Sequence, residues 1–222
     1  MQLPYSSSKS VLEIDRLFDT AHKFKTGLVP RQLLKVRIKN KKAPLILPRL
    51  SPQINGLCLA TNFDRTQAFL VEALEVSWES KGDLGEIYPL LLENIDLLEP
   101  RFIYVLQQWS SFAFSVVSPE QAATIAGLLA DLAGIIWGLP DGDREITGEI
   151  AIACCQIALQ AYSLKQFPGE WAVVQNNLAL AYSTRSCGDA VENDRQSYAC
   201  YYLGKQVFPQ QGFPQEWERI IF

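Results

Sequence analysis

The sequence predicts an all-α protein of antiparallel helical hairpins stacked side by side, preceded by a small basic segment of mixed or irregular structure. Three observations carry this. The motif Phe-Pro-x-Glu-Trp occurs at residues 167–171 and again at 213–217, and 213 − 167 = 46. An internal period between roughly 20 and 50 residues marks a repeat array, in which neighbouring supersecondary units share a core. Shifting the chain by 46 also lays Ala151-Ile152-Ala153-Cys154 on Ser197-Tyr198-Ala199-Cys200, Gly142-Asp143 on Gly188-Asp189, and Leu132-Ala133 on Leu178-Ala179. From about residue 63 onward, every apolar pattern recurs at helical spacing.

The first 62 residues read differently. A helix is predicted over 10–26, where Ser10 can cap and Val11, Ile14, Leu17, Phe18 and Ala21 share a face. Alternation of Leu34, Val36 and Ile38 with charged residues predicts a short hairpin over 33–47. Pro44, Pro48, Pro52 and Asn55-Gly56 make a connector, which sets the domain boundary at 62. Residues 1–50 hold eleven Lys and Arg against Glu13, Asp15 and Asp19, a balance of 11 − 3 = +8, whereas the rest carries 9 − 21 = −12. A basic arm can attract nucleic acid, but no stacking aromatics are interleaved with it, so nucleic acid is the alternative reading and not the principal one.

The helical domain, 63–222, follows. Phe69, Leu70, Ala73, Leu74 and Trp78 form one stripe, which Gly82 ends. Residues 86–98 make the next helix, with Pro89 admissible in its first turn. Phe102, Val105, Leu106, Trp109, Phe112, Ala113 and Val116 give a third helix one apolar face. Ser118-Pro119-Glu120-Gln121 spells a capping box with proline at the first helical position, and Ile125, Leu128, Leu129, Leu132, Ile135 and Ile136 continue that helix's buried face. The apolar run 125–139 contains Asp131 and is shorter than the roughly 20 residues a membrane span requires, so it reads as a buried helix. Two further helices are predicted at 168–185 and 193–208, with Gly188-Asp189 between them.

Within that last pair, Leu178-Ala179-x-x-Tyr182 and Ser197-x-x-x-Tyr201-x-x-Gly204 reproduce the large-small-large spacing of a tetratricopeptide (TPR) hairpin. Small residues at Ala151, Ala158 and Ala179 let helices approach, and Tyr182 and Tyr201 fill the space between pairs. The period exceeds the usual TPR unit of about 34 residues, and the surplus falls at 186–192 and in the Phe-Pro-x-Glu-Trp lead-in. The stretch 167–178 (FPGEWAVVQNNL), with Ala181-Tyr182-Ser183-Thr184-Arg185 and Gly188-Asp189-Ala190-Val191-Glu192-Asn193, resembles a cyanobacterial family of long-period TPR-like proteins. The likeness covers about residues 66–217. It implies an α-α superhelix that binds proteins or peptides. Longer relatives carry a caspase-like CHAT peptidase domain with a His/Cys dyad. Only His22 is present here, so peptidase activity is not implied, and an orphaned regulatory half of such a system is a further alternative. At Gly204-Lys205 the second copy departs from the Ala-Leu pair of the pattern.

The resemblance assigns Asn176, Leu180, Ser183 and Thr184 to the concave groove, with two readings for Asn176: a hydrogen bond to a bound peptide backbone, or to the backbone of a neighbouring repeat. Trp171 and Trp217 read as packing anchors, so that removing the Trp171 indole would cost roughly 3–5 kcal/mol. Trp217, Ile220, Ile221 and Phe222 form an apolar partner edge suited to a protein partner or to self-association. The five cysteines lack a Cys-x-x-Cys pair and lie far from His22, and Asp141, Asp143 and Glu145 lack the other ligands of a calcium loop, so neither metal nor cofactor is expected. No phosphate loop or nucleophile elbow appears. The expectation is a non-enzymatic, cytoplasmic interaction module.

Overall fold

Seven α-helices and one 3-10 turn succeed one another in the computed structural model, which describes residues 45, 47, 48 and 60–211, with no strand among the described residues. They are α1 (Ala60–Glu79), α2 (Leu84–Glu93), the 3-10 turn (Ile95–Leu97), α3 (Pro100–Val116), α4 (Pro119–Trp137), α5 (Arg144–Ala161), α6 (Pro168–Ser183) and α7 (Ala190–Gln211). The fold is all-α, and its helices bury one shared core. The helix expected at 10–26 and most of the hairpin and connector lie outside the described residues. Leu45, Leu47 and Pro48 carry no regular secondary structure.

The helix ends follow from local chemistry. Phe69, Leu70, Ala73 and Leu74 face the core from α1. Its termination falls one residue earlier than Gly82: Lys81 takes the left-handed conformation (φ 59°), Gly82 follows at φ 74°, and the Gly82 amide donates to the Ser77 carbonyl at 2.9 Å. This is the Schellman arrangement that satisfies the last carbonyls of a helix. Asp83 then starts α2 by accepting from the Gly85 amide at 2.9 Å, two residues before the expected start. Pro89 is therefore inside α2 and not in its first turn. The helix tolerates it because Pro89 and Gly85, whose carbonyl loses its donor, both face solvent. The expected continuous helix to Leu98 instead stops at Glu93 and tightens into the 3-10 turn.

In α3 the expected face holds at Phe102, Val105, Leu106, Trp109 and Ala113, but Phe112 is only half-buried and Val116 is 56% exposed, because the last turn meets the core through Phe114 and Val117 instead. Fully buried Trp109 donates its indole Nε1–H to the Pro48 carbonyl at 2.8 Å. With Leu45 and Leu47 packed on the core, that bond fixes the end of the connector against the helical domain. The capping box at α4 forms as read: Gln121 N–H donates to Ser118 Oγ, and Ser118 N–H donates to Gln121 Oε1, each at 3.4 Å.

Helices α4 and α5 form one hairpin and α6 and α7 a second, and within each pair the packing is the most extensive among the described helices. Both loops span six residues, 138–143 and 184–189, and both end in Gly-Asp. Asp143 Oδ1 accepts from the Glu145 and Ile146 amides, and Asp189 Oδ1 accepts from the Glu192 amide at 2.8 Å. A Cβ on Gly142 would lie 2.7 Å from Thr147 Cγ2, while Gly188 adopts φ +80°. Helices α5 and α7 begin 190 − 144 = 46 residues apart, but α4 and α6 begin 168 − 119 = 49 apart, because α4 has 19 residues and α6 has 16. Between the starts of α5 and α7 the period is filled by two helices and two six-residue loops, 162–167 and 184–189, so its length is not concentrated in the turn at 186–192.

The lead-in to α6 joins the two hairpins. Pro168 occupies the first helical position, the Trp171 amide donates to the Phe167 carbonyl at 2.8 Å, and the Phe167 ring packs on Tyr162 at 5.4 Å. Tyr162 OH in turn donates to the Ala123 carbonyl of α4 at 2.7 Å. Gly204, where the second copy departs from the repeat pattern, has a packing role. It lies buried where α7 crosses α6, and a Cβ there would sit 3.1 Å from the Ala172 carbonyl.

Truncating Trp109 to Ala should lower stability by about 3–5 kcal/mol, because it empties a fully buried site and unpairs the Pro48 carbonyl. Trp171 is only half-buried, so Trp171→Ala should cost less, about 1–3 kcal/mol. Urea melts of the two variants would test that ranking.

Candidate functional site

Of the four residues assigned to the groove, only Leu180 lines an open crevice. The Ser183 and Thr184 hydroxyls donate back to the Leu180 carbonyl at 2.8 and 3.1 Å, completing the last turn of α6. Asn176 is buried where Gly204 of α7 comes close to its backbone nitrogen, and its Nδ2 has no hydrogen-bond partner among the described residues. It is not among the residues that line the crevice.

The crevice lies where α4, α5 and α6 meet. Ala133, Gly134 and Trp137 of α4, Ala151 and Cys155 of α5, and Asn177, Leu180 and Ala181 of α6 line it. The small residues let three backbones converge, and half-buried Trp137 and Leu180 bound the opening. The remaining space suits one water or one methyl-sized group. Asn177 is 4% exposed, and neither its Nδ2 nor its Oδ1 finds a hydrogen-bond partner among the described residues. The sequence directed attention to Asn176, but the helical turn puts its neighbour in the crevice, since consecutive residues diverge by about 100°.

A second constellation joins the hairpins at the loop before α7. Arg185 Nε and Nη2 donate to the two carboxylate oxygens of Glu149 on α5, and Nη1 donates to Asn193 Oδ1 at 3.1 Å. Asn193 Nδ2 donates to the Cys187 carbonyl at 2.8 Å, and the Cys187 thiol donates to Glu149 Oε1 at 3.1 Å. The guanidinium also lies 5.9 Å from the centre of the Tyr182 ring, whose hydroxyl accepts from Gln156 Nε2 at 3.0 Å. The string Arg185-x-x-Gly188-Asp189-x-x-Glu192-Asn193 therefore builds a turn and clamps it to the preceding hairpin. Nothing in the sequence pointed to Glu149. One period earlier the same two positions are Leu139 and Ile103, so the repeat conceals an ion pair behind apolar counterparts.

The arrangement sets the local electrostatics. Paired hydrogen bonds from Arg185 hold the Glu149 carboxyl below its usual range, and the same partnership raises the Arg185 guanidinium. The Glu149 carboxylate in turn pushes the Cys187 thiol up. Burial raises Cys154 well above the ordinary thiol range, Cys155 to about 12 and Cys200 to about 11. Cys154, Cys155 and Cys200 are buried and pack in the core. Asp143 is engaged as a helix cap, and no group of three or more His, Cys, Asp or Glu suited to a metal ion occurs among the described residues. His22, Cys58 and the edge formed by Trp217, Ile220, Ile221 and Phe222 lie outside the described residues.

The clamp has a defined pH dependence. Folding lowers the Glu149 pKa from 4.5, so the pair's contribution is complete above that value and is lost as the pH falls through the lower folded-state value. At pH 7 Glu149→Gln should destabilise by about 1–2 kcal/mol, since the pair is partly open to solvent. The gap between variant and wild type should close in urea melts taken at progressively lower pH below about 4. A gap independent of pH would mean that the carboxylate charge contributes nothing.

Comparison with known proteins adds no relative to this geometry: no protein-family model, curated protein or solved structure matches the chain.

Proposed function

We propose that the chain is a non-enzymatic protein-interaction module whose paired hairpins form a TPR-like array, and that a protein or peptide partner docks at the junction of α4 and α6. The observation that carries this is the crevice itself. Two successive hairpins contribute to it, alanine and glycine make half of its lining beside Cys155 and Asn177, and Trp137 and Leu180 are its half-buried large apolar side chains. Such a site accepts a small apolar side chain, while the exposed indole and leucine edges give the flanking residues of a peptide an apolar seat. The free thiols Cys154, Cys155, Cys187 and Cys200 accord with a reducing, cytoplasmic setting. No helix among the described residues is long and apolar enough to cross a membrane.

Selection of a random displayed-peptide library on the full chain should enrich sequences that share a small apolar residue. Leu180→Glu should weaken those peptides at least about tenfold, whereas Tyr104→Ser, an exposed position on α3, should leave them unchanged. The absence of enriched peptides, or peptides indifferent to Leu180→Glu in a variant that melts normally, would dismiss the reading.

A further inference from the structure

The α5 side of the crevice continues past Ala151. Ala151 and Cys155, which line it, share a helical face with Gly148, since the three stand at i+3, i+7 and i. Gly148 is buried, yet a Cβ built on it would meet no heavy atom within 4 Å. Buried Gly204 differs: a Cβ there would sit 3.1 Å from the Ala172 carbonyl, so its glycine permits a helix crossing. At Gly148 no neighbour comes that close, and the missing side chain leaves a pit on the crevice side of α5.

The spacing of pit and crevice selects a ligand conformation. The midpoint of Ala151 and Cys155 lies five positions past Gly148, (151 + 155)/2 − 148 = 5, or about 7.5 Å along a helix that rises 1.5 Å per residue. Alternate side chains of an extended chain leave the same side of it about every 6.6–6.8 Å. Same-face neighbours of a helical ligand, three or four residues apart, advance only about 4.5–6 Å. A second, independent observation favours the extended form. Asn177 lines the crevice at 4% exposure, and neither its Nδ2 nor its Oδ1 has a hydrogen-bond partner among the described residues. An unmet donor beside an unmet acceptor suits an occupant that carries both. An extended peptide has free N–H and C=O groups, whereas a helix spends most of them on itself. We propose that the crevice and the Gly148 pit are two subsites for one extended peptide, which carries residues the size of alanine at two positions separated by one. Resting on docking at the junction of α4 and α6, this assignment adds the ligand's conformation and spacing, and makes Gly148 the specificity-determining residue.

Displayed-peptide selection on the full chain should therefore enrich two small residues with one residue between them. Gly148→Ala adds a methyl group where there is room and improves helix propensity, so it should melt no lower than wild type. Selection on that variant should shift the second small position from alanine to glycine. Gly148→Leu should weaken a peptide selected on wild type about tenfold. A derivative with leucine at its second small position makes no use of the pit and should bind wild type and Gly148→Leu alike. Peptides that lose affinity in Leu180→Glu but bind Gly148→Leu as they bind wild type would overturn the two-subsite proposal and leave the docking reading standing. Small residues spaced three or four apart would also overturn it, as the mark of a helical ligand. If no peptide is enriched, the docking reading falls and the second subsite with it.

Discussion

The second hairpin depends on the enclosure of α6. Eight of its sixteen residues are buried, and Val174, Gln175, Asn176, Asn177, Leu178 and Ala179 are consecutive. Six consecutive positions advance by about 100° each and so cover the whole helix circumference. No single amphipathic face can satisfy that pattern. The helix must be flanked by α4 and α5 on one side and by α7 on the other, and the close crossing at Gly204 is what brings α7 near enough. The enclosure also has a cost. Gln175 Oε1, Asn176 Nδ2 and both Asn177 carboxamide atoms are buried without hydrogen-bond partners among the described residues, and each such group typically forfeits about 1–3 kcal/mol.

The Arg185 clamp answers a separate problem, how a helix pair is oriented against the pair before it. Apolar burial is non-directional and would permit the second hairpin to slide along the first. A bidentate guanidinium–carboxylate pair has one favourable geometry, and here the guanidinium also reaches Asn193 and the Tyr182 ring. Glu149, Arg185 and Asn193 belong respectively to α5, the loop and α7, so one interaction fixes three elements. Gly188 makes this feasible: its left-handed turn leaves the guanidinium within 3.4 Å of where a Cβ would be.

Much of this was legible in the sequence, for identifiable reasons. Local chemistry acts over three or four residues, so the Ser118–Gln121 capping box, Pro168 at a helix start and Gly-Asp at both loops could be read directly. Patterns of burial were readable where a helix has one wet side, as in α1 and α3. They failed at Val116, where the last turn meets the core through Phe114 and Val117 instead, and at α2, where Asp83 capped the chain earlier than the apolar pattern begins. The candidate site was harder. Leu180 was found, but Asn177 was passed over for Asn176 because one residue of helical phase decides which amide meets the crevice. Glu149 lies 36 residues from Arg185, and nothing periodic announces their pairing.

The buried amides of α6 suggest why an apolar helix was not used in their place. A leucine at residue 177 would remove two unpartnered atoms from the interior and, by area alone, would favour the folded chain. Apolar side chains at 175, 176 and 177 together would leave the buried stretch of α6 apolar all round, and such a helix has no preferred rotation between its neighbours. With carboxamides at 175, 176 and 177, rotating α6 would move different polar atoms into the dry contact with α4 and α5, where Ala133, Ala151 and Cys155 offer no side-chain partner with strong hydrogen-bonding capacity. The amides reduce stability, but they limit the rotations that remain competitive, and the orientation of α6 is what brings Leu180 to the crevice and Arg185 to Glu149.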